Sequence, residues 1–465
     1  MNHLEGMKRD LLAAVVLGLV VSSSLVAGDG VAPISYDLRV HINPDSGSIA
    51  VEGSAKVPLE NPHARNFRFN LHDTFTIKKL WINGKEASFS FADAEPLPLT
   101  PAARTVVVSL PLDIAQGQVQ MDIKYEGRLR KLPEFGAIPG QKLAMDDQIN
   151  AHMVELAAYS SWYPQFVLGG PVQVELEVSL PAGWVSVCSG VKLDEQVNQG
   201  QAITRWSSAK DFDILIVASP DYKKKSIRQS GIDIDIYHTQ MPKEFIEGEA
   251  SQIAAVVKLY TDRLGETYIP GGTVRHVYSP KRKGQGKAGI ARPGLIVTSE
   301  GLTLEALATD PHFSLFQPIA HEIAHFWWHS GTGQGDWINE SFAEYFSAVA
   351  VQKNVSEEEF KSVLADYRKQ VSELPVDAPS ISNIPFSNDA VGFVVRYYKG
   401  ALMLHNLRKT LGEEKFFQAC HEFYQTYKER PVGTGEFRSF WKEKLTDQKH
   451  LVDAWLDSKG GLPSL

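Results

Sequence analysis

Polar and apolar positions alternate with a period of two through the first half of the chain and with a helical period through much of the second. Tyr36, Leu38, Val40 and Ile42 are separated by Asp37, Arg39 and His41, and Val172, Val174, Leu176, Val178 and Leu180 by Gln173, Glu175, Glu177 and Ser179. Such alternation predicts half-buried strands. Asn83-Gly84 reads as a hairpin turn, and Gly, Ser and Pro-Asp clusters recur between the strands, so the stretch to about Tyr222 is expected to be an antiparallel β sandwich or saddle. The composition shifts at Lys223-Lys224-Lys225, a charge run that reads as a solvated face. From Lys243, the residues Phe245, Ile253, Val256, Val257 and Leu264 keep helical spacing up to a stop at Gly265. Val274 to Tyr278 reads as a strand, Ser356 to Glu359 is a capping box opening a helix to about Leu374, and helices continue to the end. The expected architecture is multidomain, β then α+β, with a β domain over 30–225 and a mixed, mostly helical domain over 226–465.

Residues 1–28 change this picture only at the start. Lys8 and Arg9 precede an apolar run from Leu11 to Val21, then small residues to Gly28, the order of a secretory signal peptide. The expected location is therefore outside the cytoplasm, periplasmic or secreted, without stable membrane insertion once the signal is removed. An uncleaved membrane anchor is the runner-up, although the run is only about half of the roughly 20 residues a span needs. A formal net charge of -8 argues against nucleic acid as a partner. Cys188 and Cys420 lie in different predicted domains and supply no disulfide framework, so their pairing stays open.

The candidate chemistry is concentrated in His321-Glu322-Ile323-Ala324-His325 and in Trp337 to Tyr345. Residues four apart on a helix share a face about one turn apart, so His321 and His325 can grip one metal ion, with Glu322 placed as general base toward its water. A catalytic zinc takes three protein ligands, and Glu340 and Glu344, also four apart, compete for the third place. Glu340 is taken as the ligand, and Glu344 as the carboxylate that accepts a hydrogen bond from the far nitrogen of a ligating histidine. His329 repeats the spacing but stands about 12 Å along the axis from His321, too far to share the ion. A third-histidine zinc pattern is excluded because Gly331 occupies the required position.

With these residues the chain resembles the zinc aminopeptidase family of gluzincins, the group of alanyl aminopeptidases and leukotriene hydrolase. Trp337 to Tyr345 is similar to its W-L-N-E-G-F-A-x-Y signature, with Ser341 in place of the glycine, and Tyr36 to Val40 matches its opening Y-D-L-x-V. Counting the family's usual spacing from His325 would land on Glu344, but the signature places the ligand at Glu340, because a loop can shorten whereas a helix cannot change register without turning its ligand away. The resemblance covers nearly all of the chain after the signal and implies a thermolysin-like catalytic domain, one Zn2+, and a peptide or small protein as substrate. From this sequence, the family's later β and helical domains are not expected. Tyr397-Tyr398-Lys399-Gly400-Ala401 resembles its Y-x-K-G-A motif, which assigns Tyr397 to the oxyanion and Tyr398 to packing.

On the substrate side the resemblance is broken. Ala288 to Leu295 falls where the family has G-A-M-E-N-W-G-L, an edge strand that pairs with substrate and whose glutamate holds the α-ammonium. Gly289, Ala291 and Arg292 take the positions of its alanine, glutamate and asparagine. The anchor is thus lost at Ala291, and a cation at Arg292 would disfavour an ammonium nearby. Glu155, nine positions before Pro164, stands where the family places a second amine-binding Gln or Glu. The basic loop 281–287 could attract acidic substrates, but a solvated loop is the expected explanation. Hydrolysis of a peptide bond by a metal-activated water is expected, aminopeptidase-like in specificity. The alternatives are endopeptidase-like specificity and a non-catalytic, zinc-stabilised peptide-binding module.

Overall fold

The computed structural model describes residues 33–59, 65–92, 102–110, 117–130, 135–138, 141–143, 148–166, 172–280, 289–385 and 389–463. The signal-like segment and the basic loop 281–287 lie outside them. Strand Ile34–Asn43 buries every second residue and sits inside an eight-stranded sheet. It runs antiparallel to Ser48–Pro58 and parallel to Val172–Pro181. The expectation of a wholly antiparallel half is corrected at that one pairing, which joins strands distant in sequence where no hairpin dictates direction. The Asn83-Gly84 turn is as read: both residues have positive φ, 49° and 76°, and join Thr76–Ile82 to Lys85–Glu86.

Two four-stranded sheets pack onto the large one. The buried Tyr36 and Tyr125 of the large sheet donate their hydroxyls to the carbonyls of Pro164 and Trp162, at 2.7 and 2.8 Å. The Ser161-to-Pro164 loop is thereby fastened to the core of the β half.

A five-stranded mixed sheet opens at Lys223, in the order Lys223–Gln229, Ile232–His238, Thr273–Ser279, Leu295–Ser299, Ile290–Arg292. The last is the edge strand among the described residues. Helix Lys243–Leu264 ends at Gly265, whose φ of 85° only glycine adopts cheaply. Helices Phe316–Ala324 and Asp336–Asn354 pack together under an aromatic core, in which Phe342 stacks between Trp328, at 4.0 Å, and Phe423, at 5.6 Å. Ser356 caps Glu357–Ser372 by accepting the Glu359 N–H at 3.0 Å. Cys188 and Cys420 are both buried and free. No described helix is long and apolar enough to cross a membrane.

Candidate metal centre and active site

His321 lies in the last turn of its helix and His325 at its C-cap. Their Nε2 atoms are 3.2 Å apart, and Glu340 Oε2 lies 3.4 Å from the first and 3.5 Å from the second. All three side chains are buried. The outer nitrogens are occupied: His321 Nδ1 is 2.8 Å from Glu344 Oε2, and His325 Nδ1 is 3.0 Å from the Trp328 carbonyl oxygen. Both partners are acceptors, so each Nδ1 donates and each Nε2 turns a lone pair inward toward the other and toward a carboxylate. Three facing lone pairs in a dry pocket call for a cation. A tetrahedral zinc with bonds of about 2.0–2.1 Å has ligand-to-ligand edges of about 3.3 Å, which these separations match. The demand for positive charge also appears in the protonation equilibria. Burial opposes charge on His321, yet hydrogen bonds to Glu340 and Glu344 outweigh it and raise its pKa. Burial likewise opposes charge on Glu340, and the two histidines reverse it.

Asn339 shows why an asparagine precedes the glutamate. Its side chain accepts the Gly331 N–H at 2.8 Å and donates to the Gly331 carbonyl at 2.9 Å, closing the short connection between the two helices. A Cβ at Gly331 would meet the Gly335 carbonyl oxygen at 2.5 Å, so the connection needs glycine there. His329, outside the metal cluster, has Nδ1 3.2 Å from the His325 carbonyl oxygen and stacks on Phe212.

Both carboxylate oxygens of Glu322 are buried without a hydrogen-bond partner among the described residues. Burial raises its pKa, against the pull of His321 and His325. Gly289 lies directly against this carboxyl, where any Cβ would overlap it. Tyr397 is buried between Phe393, stacked at 4.3 Å, and the His321 ring, stacked at 5.6 Å and nearly parallel. Burial, and then the Glu340 carboxylate beside its hydroxyl, push the Tyr397 pKa far up, so it is a donor at any working pH. Tyr398 packs on Tyr367 at 4.6 Å.

The substrate-side positions are dispersed. Ala291 is buried in the edge strand, opposite Ile296. Arg292 is buried too, and its guanidinium pairs with Asp213 and reaches the Ala291 carbonyl oxygen at 2.6 Å. Asp213 also accepts the Tyr163 hydroxyl at 3.1 Å and the Ala158 N–H at 3.2 Å. The cation at Arg292, read as disfavouring an ammonium nearby, does not stand alone: its charge is met inside the protein by a carboxylate 79 residues away. Glu155 is buried in strand Met153–Leu156, where its carboxylate accepts the Ser279 hydroxyl across the two halves.

Several supporting residues carried no sequence signal of their own. Tyr367 donates to the second oxygen of Glu344 and accepts from Gln317 Nε2 at 2.8 Å. Asp336 pairs with Arg396 at 2.8 Å, both buried. Val395–Lys399, which includes Tyr397, is a π-helical turn. Lys399 directs its ammonium at the carbonyl oxygens of Ser458, 2.7 Å, and Gly460, 2.9 Å, and burial lowers its pKa to about 8. The Y-x-K-G-A motif names Lys399 but does not say where its ammonium goes.

Comparison with known proteins follows the same lines. Residues 288–455 match the peptidase family M1 domain. The chain is 22% identical to leukotriene A-4 hydrolase of Xenopus laevis, over 92% of this chain and 71% of that protein. It is 22% identical to mitochondrial aminopeptidase 2 of Saccharomyces cerevisiae, over 93% of this chain and 46% of that one. The crystal structure of an M1 zinc metallopeptidase from Deinococcus radiodurans superposes with a TM-score of 0.73 at 18% identity, over 94% of each chain. A mutant of the Deinococcus enzyme, bound to a Tyr-Ser-Ala substrate, gives 0.72 at 18% identity over 96% of this chain and 99% of that one. With the β half, the helical half and the metal-fitting cluster in this arrangement, the chain carries a match to the peptidase family M1 domain over residues 288–455 and has the fold of the two-domain M1 zinc metallopeptidases.

Proposed function

We propose that the chain hydrolyses peptide bonds at or near the N-terminal end of its substrate, with His321, His325 and Glu340 as zinc ligands. One observation carries this reading: a buried Glu322 carboxylate, with no hydrogen-bond partner among the described residues, beside three inward-facing ligand atoms and against Gly289, where any Cβ would overlap it. When bound, zinc supplies Lewis acidity that lowers the pKa of a coordinated water toward about 7 and polarises the scissile carbonyl. Glu322 accepts a proton from the attacking water and returns it to the leaving amine, and its raised pKa suits both transfers. Tyr397 donates its hydroxyl to the developing oxyanion. Glu344 holds His321 in the tautomer with Nδ1 protonated, and the edge strand Ile290–Arg292 offers backbone groups to an extended peptide. Water attacks directly, so no acyl-enzyme forms.

At the amine end, Ala291 supplies no carboxylate and Arg292 is committed to Asp213, which leaves Glu155 as the candidate anchor. The specificity is therefore read as aminopeptidase-like with a weakened demand for a free amine. Endopeptidase-like cleavage is the second reading, favoured by Ala291. That the Deinococcus neighbour was crystallised with a tripeptide supports a short peptide as substrate class. We place the domain division just before Lys223, because the expected cut at 225/226 would split strand Lys223–Gln229 of the five-stranded sheet. Export rests on residues 8–28 alone.

The test is Glu322→Gln, screened with the unaltered protein against a mixed peptide library, with a chelator control. Zinc content should stay at one per chain while turnover falls by at least about 10³-fold. An active Glu322→Gln protein defeats the mechanism. Saturable peptide binding without any cleavage by the unaltered, zinc-loaded protein favours the non-catalytic module instead.

A further inference from the structure

We infer that Ser341 is a positioning residue for Tyr397: through the Arg396 carbonyl it fixes the turn that aims the tyrosine hydroxyl, an inference that rests on the hydrolytic reading above. The π-turn Val395–Lys399 is wider than an α-helical turn and leaves backbone carbonyls without their usual partner four residues on. Its closing bonds run from the Gly400 N–H to the carbonyls of Val395 and Tyr397. The Arg396 carbonyl between them accepts the Ser341 hydroxyl at 2.6 Å.

Ser341 is fully buried, directly follows Glu340 on the metal-side helix, and reaches the residue directly before Tyr397. Gly400 makes the approach possible, because a Cβ there would fall on the Ser341 hydroxyl. Asp336, on the same helix, holds the Arg396 guanidinium at 2.8 Å. One helix therefore grips the turn by its backbone and by its side chain, and the backbone grip depends on a hydroxyl that a glycine at position 341 would lack. A turn with a loose carbonyl has several ways to settle, and an error of about 1 Å in a catalytic group can cost up to about 10²-fold in rate.

A purely structural Ser341 would stabilise the fold and leave the chemistry alone, so the test is a double-mutant cycle on turnover. Ser341→Gly, Tyr397→Phe and their combination are compared by kcat, KM and zinc content, with Ser341→Ala carrying the same cycle if the glycine variant does not fold. Ser341→Gly should lower kcat about tenfold with KM and zinc content unchanged, Tyr397→Phe by about 10²-fold or more, and the double variant should be no slower than Tyr397→Phe. Wild-type kcat in both Ser341 variants, or the same fold-loss with and without the tyrosine hydroxyl, overturns the inference. Wild-type kcat in Tyr397→Phe overturns the oxyanion role in the hydrolytic reading itself, and the inference with it.

Discussion

The two ends of the cleft are built on different principles. At the metal end, two helices joined by one short connection supply all three candidate ligands, the Glu322 carboxylate and the Glu344 support. At the amine end the contacts join distant segments: the edge strand Ile290–Arg292 reaches Asp213, and Glu155, on strand Met153–Leu156, reaches Ser279. The metal end departs from the family signature only at Ile338, a conservative change, at Ser341, and in the shortened connection before Trp337. By the resemblance, Ala291 stands where the family has its amine-binding glutamate, and the neighbouring Arg292 is paired with the buried Asp213. A tetrahedral ion tolerates little displacement of its ligands, whereas a charged anchor for one substrate group can be exchanged for another arrangement as long as the buried charges stay matched.

The largest effect should therefore come from the metal end. Glu340→Ala is expected to abolish stoichiometric zinc and with it turnover, read by metal analysis after dialysis. Glu344→Ala should weaken zinc by about 10- to 100-fold and recover activity at saturating metal. Zinc retained in the first variant and lost in the second would transfer the ligand role to Glu344 and dissolve the contrast, because the shortened connection would then have shifted the helix register.

This contrast also explains what could be read from sequence. His321 and His325, Glu340 and Glu344 are pairs fixed by the helical repeat, and Asn83-Gly84 by the demand for positive φ at two successive residues. Periodicity of two marks the strands but does not say which strands meet, so the parallel pairing of Ile34–Asn43 with Val172–Pro181 was invisible. The same holds for Asp213, whose neighbours in sequence give no sign that its partner is Arg292. Tyr397 was legible from its motif, but the π-turn that carries it was not, since its carbonyl partner Ser341 lies 55 residues earlier. Contacts between distant segments decide these features, and local propensity is silent about them.

An intermediate effect is expected at the amine end. A single charge-assisted hydrogen bond from Glu155 contributes about 1.5–3 kcal/mol, so a peptide with a free N-terminus should outpace its acetylated form by roughly one to two powers of ten in kcat/KM. Glu155→Ala should bring that ratio close to one, without loss of zinc. Equal cleavage of both peptides by the unaltered protein, together with no response to Glu155→Ala, would end the aminopeptidase label and make the amine end an open passage.

The smallest effect on turnover, none at all, is expected at Asp211, and its signature should appear in stability. Asp211 is buried close to the Arg292–Asp213 pair, with its carboxyl accepting the Phe212 N–H at 2.9 Å and the Ser208 hydroxyl at 3.3 Å. Burial raises its pKa to about 7, against the pull of Arg292, whose charge Asp213 already largely meets. In the unfolded chain an aspartate ionises near its ordinary value of about 4. Between these two values the native state holds the extra proton, so stability falls as pH rises from about 4 to about 7 and then levels off. Asp211→Asn keeps a neutral, similarly shaped group and removes that slope. Its stability relative to the unaltered protein should therefore improve from pH 5 to pH 8, by no more than about 2.7 kcal/mol, as measured by denaturant unfolding at both pH values. A difference between the two proteins that is the same at pH 5 and pH 8 would mean that Asp211 is already ionised in the fold. Arg292 would then be shared between two carboxylates, and the amine end would be more acidic, and more welcoming to a substrate ammonium, than the Arg292–Asp213 pair alone implies.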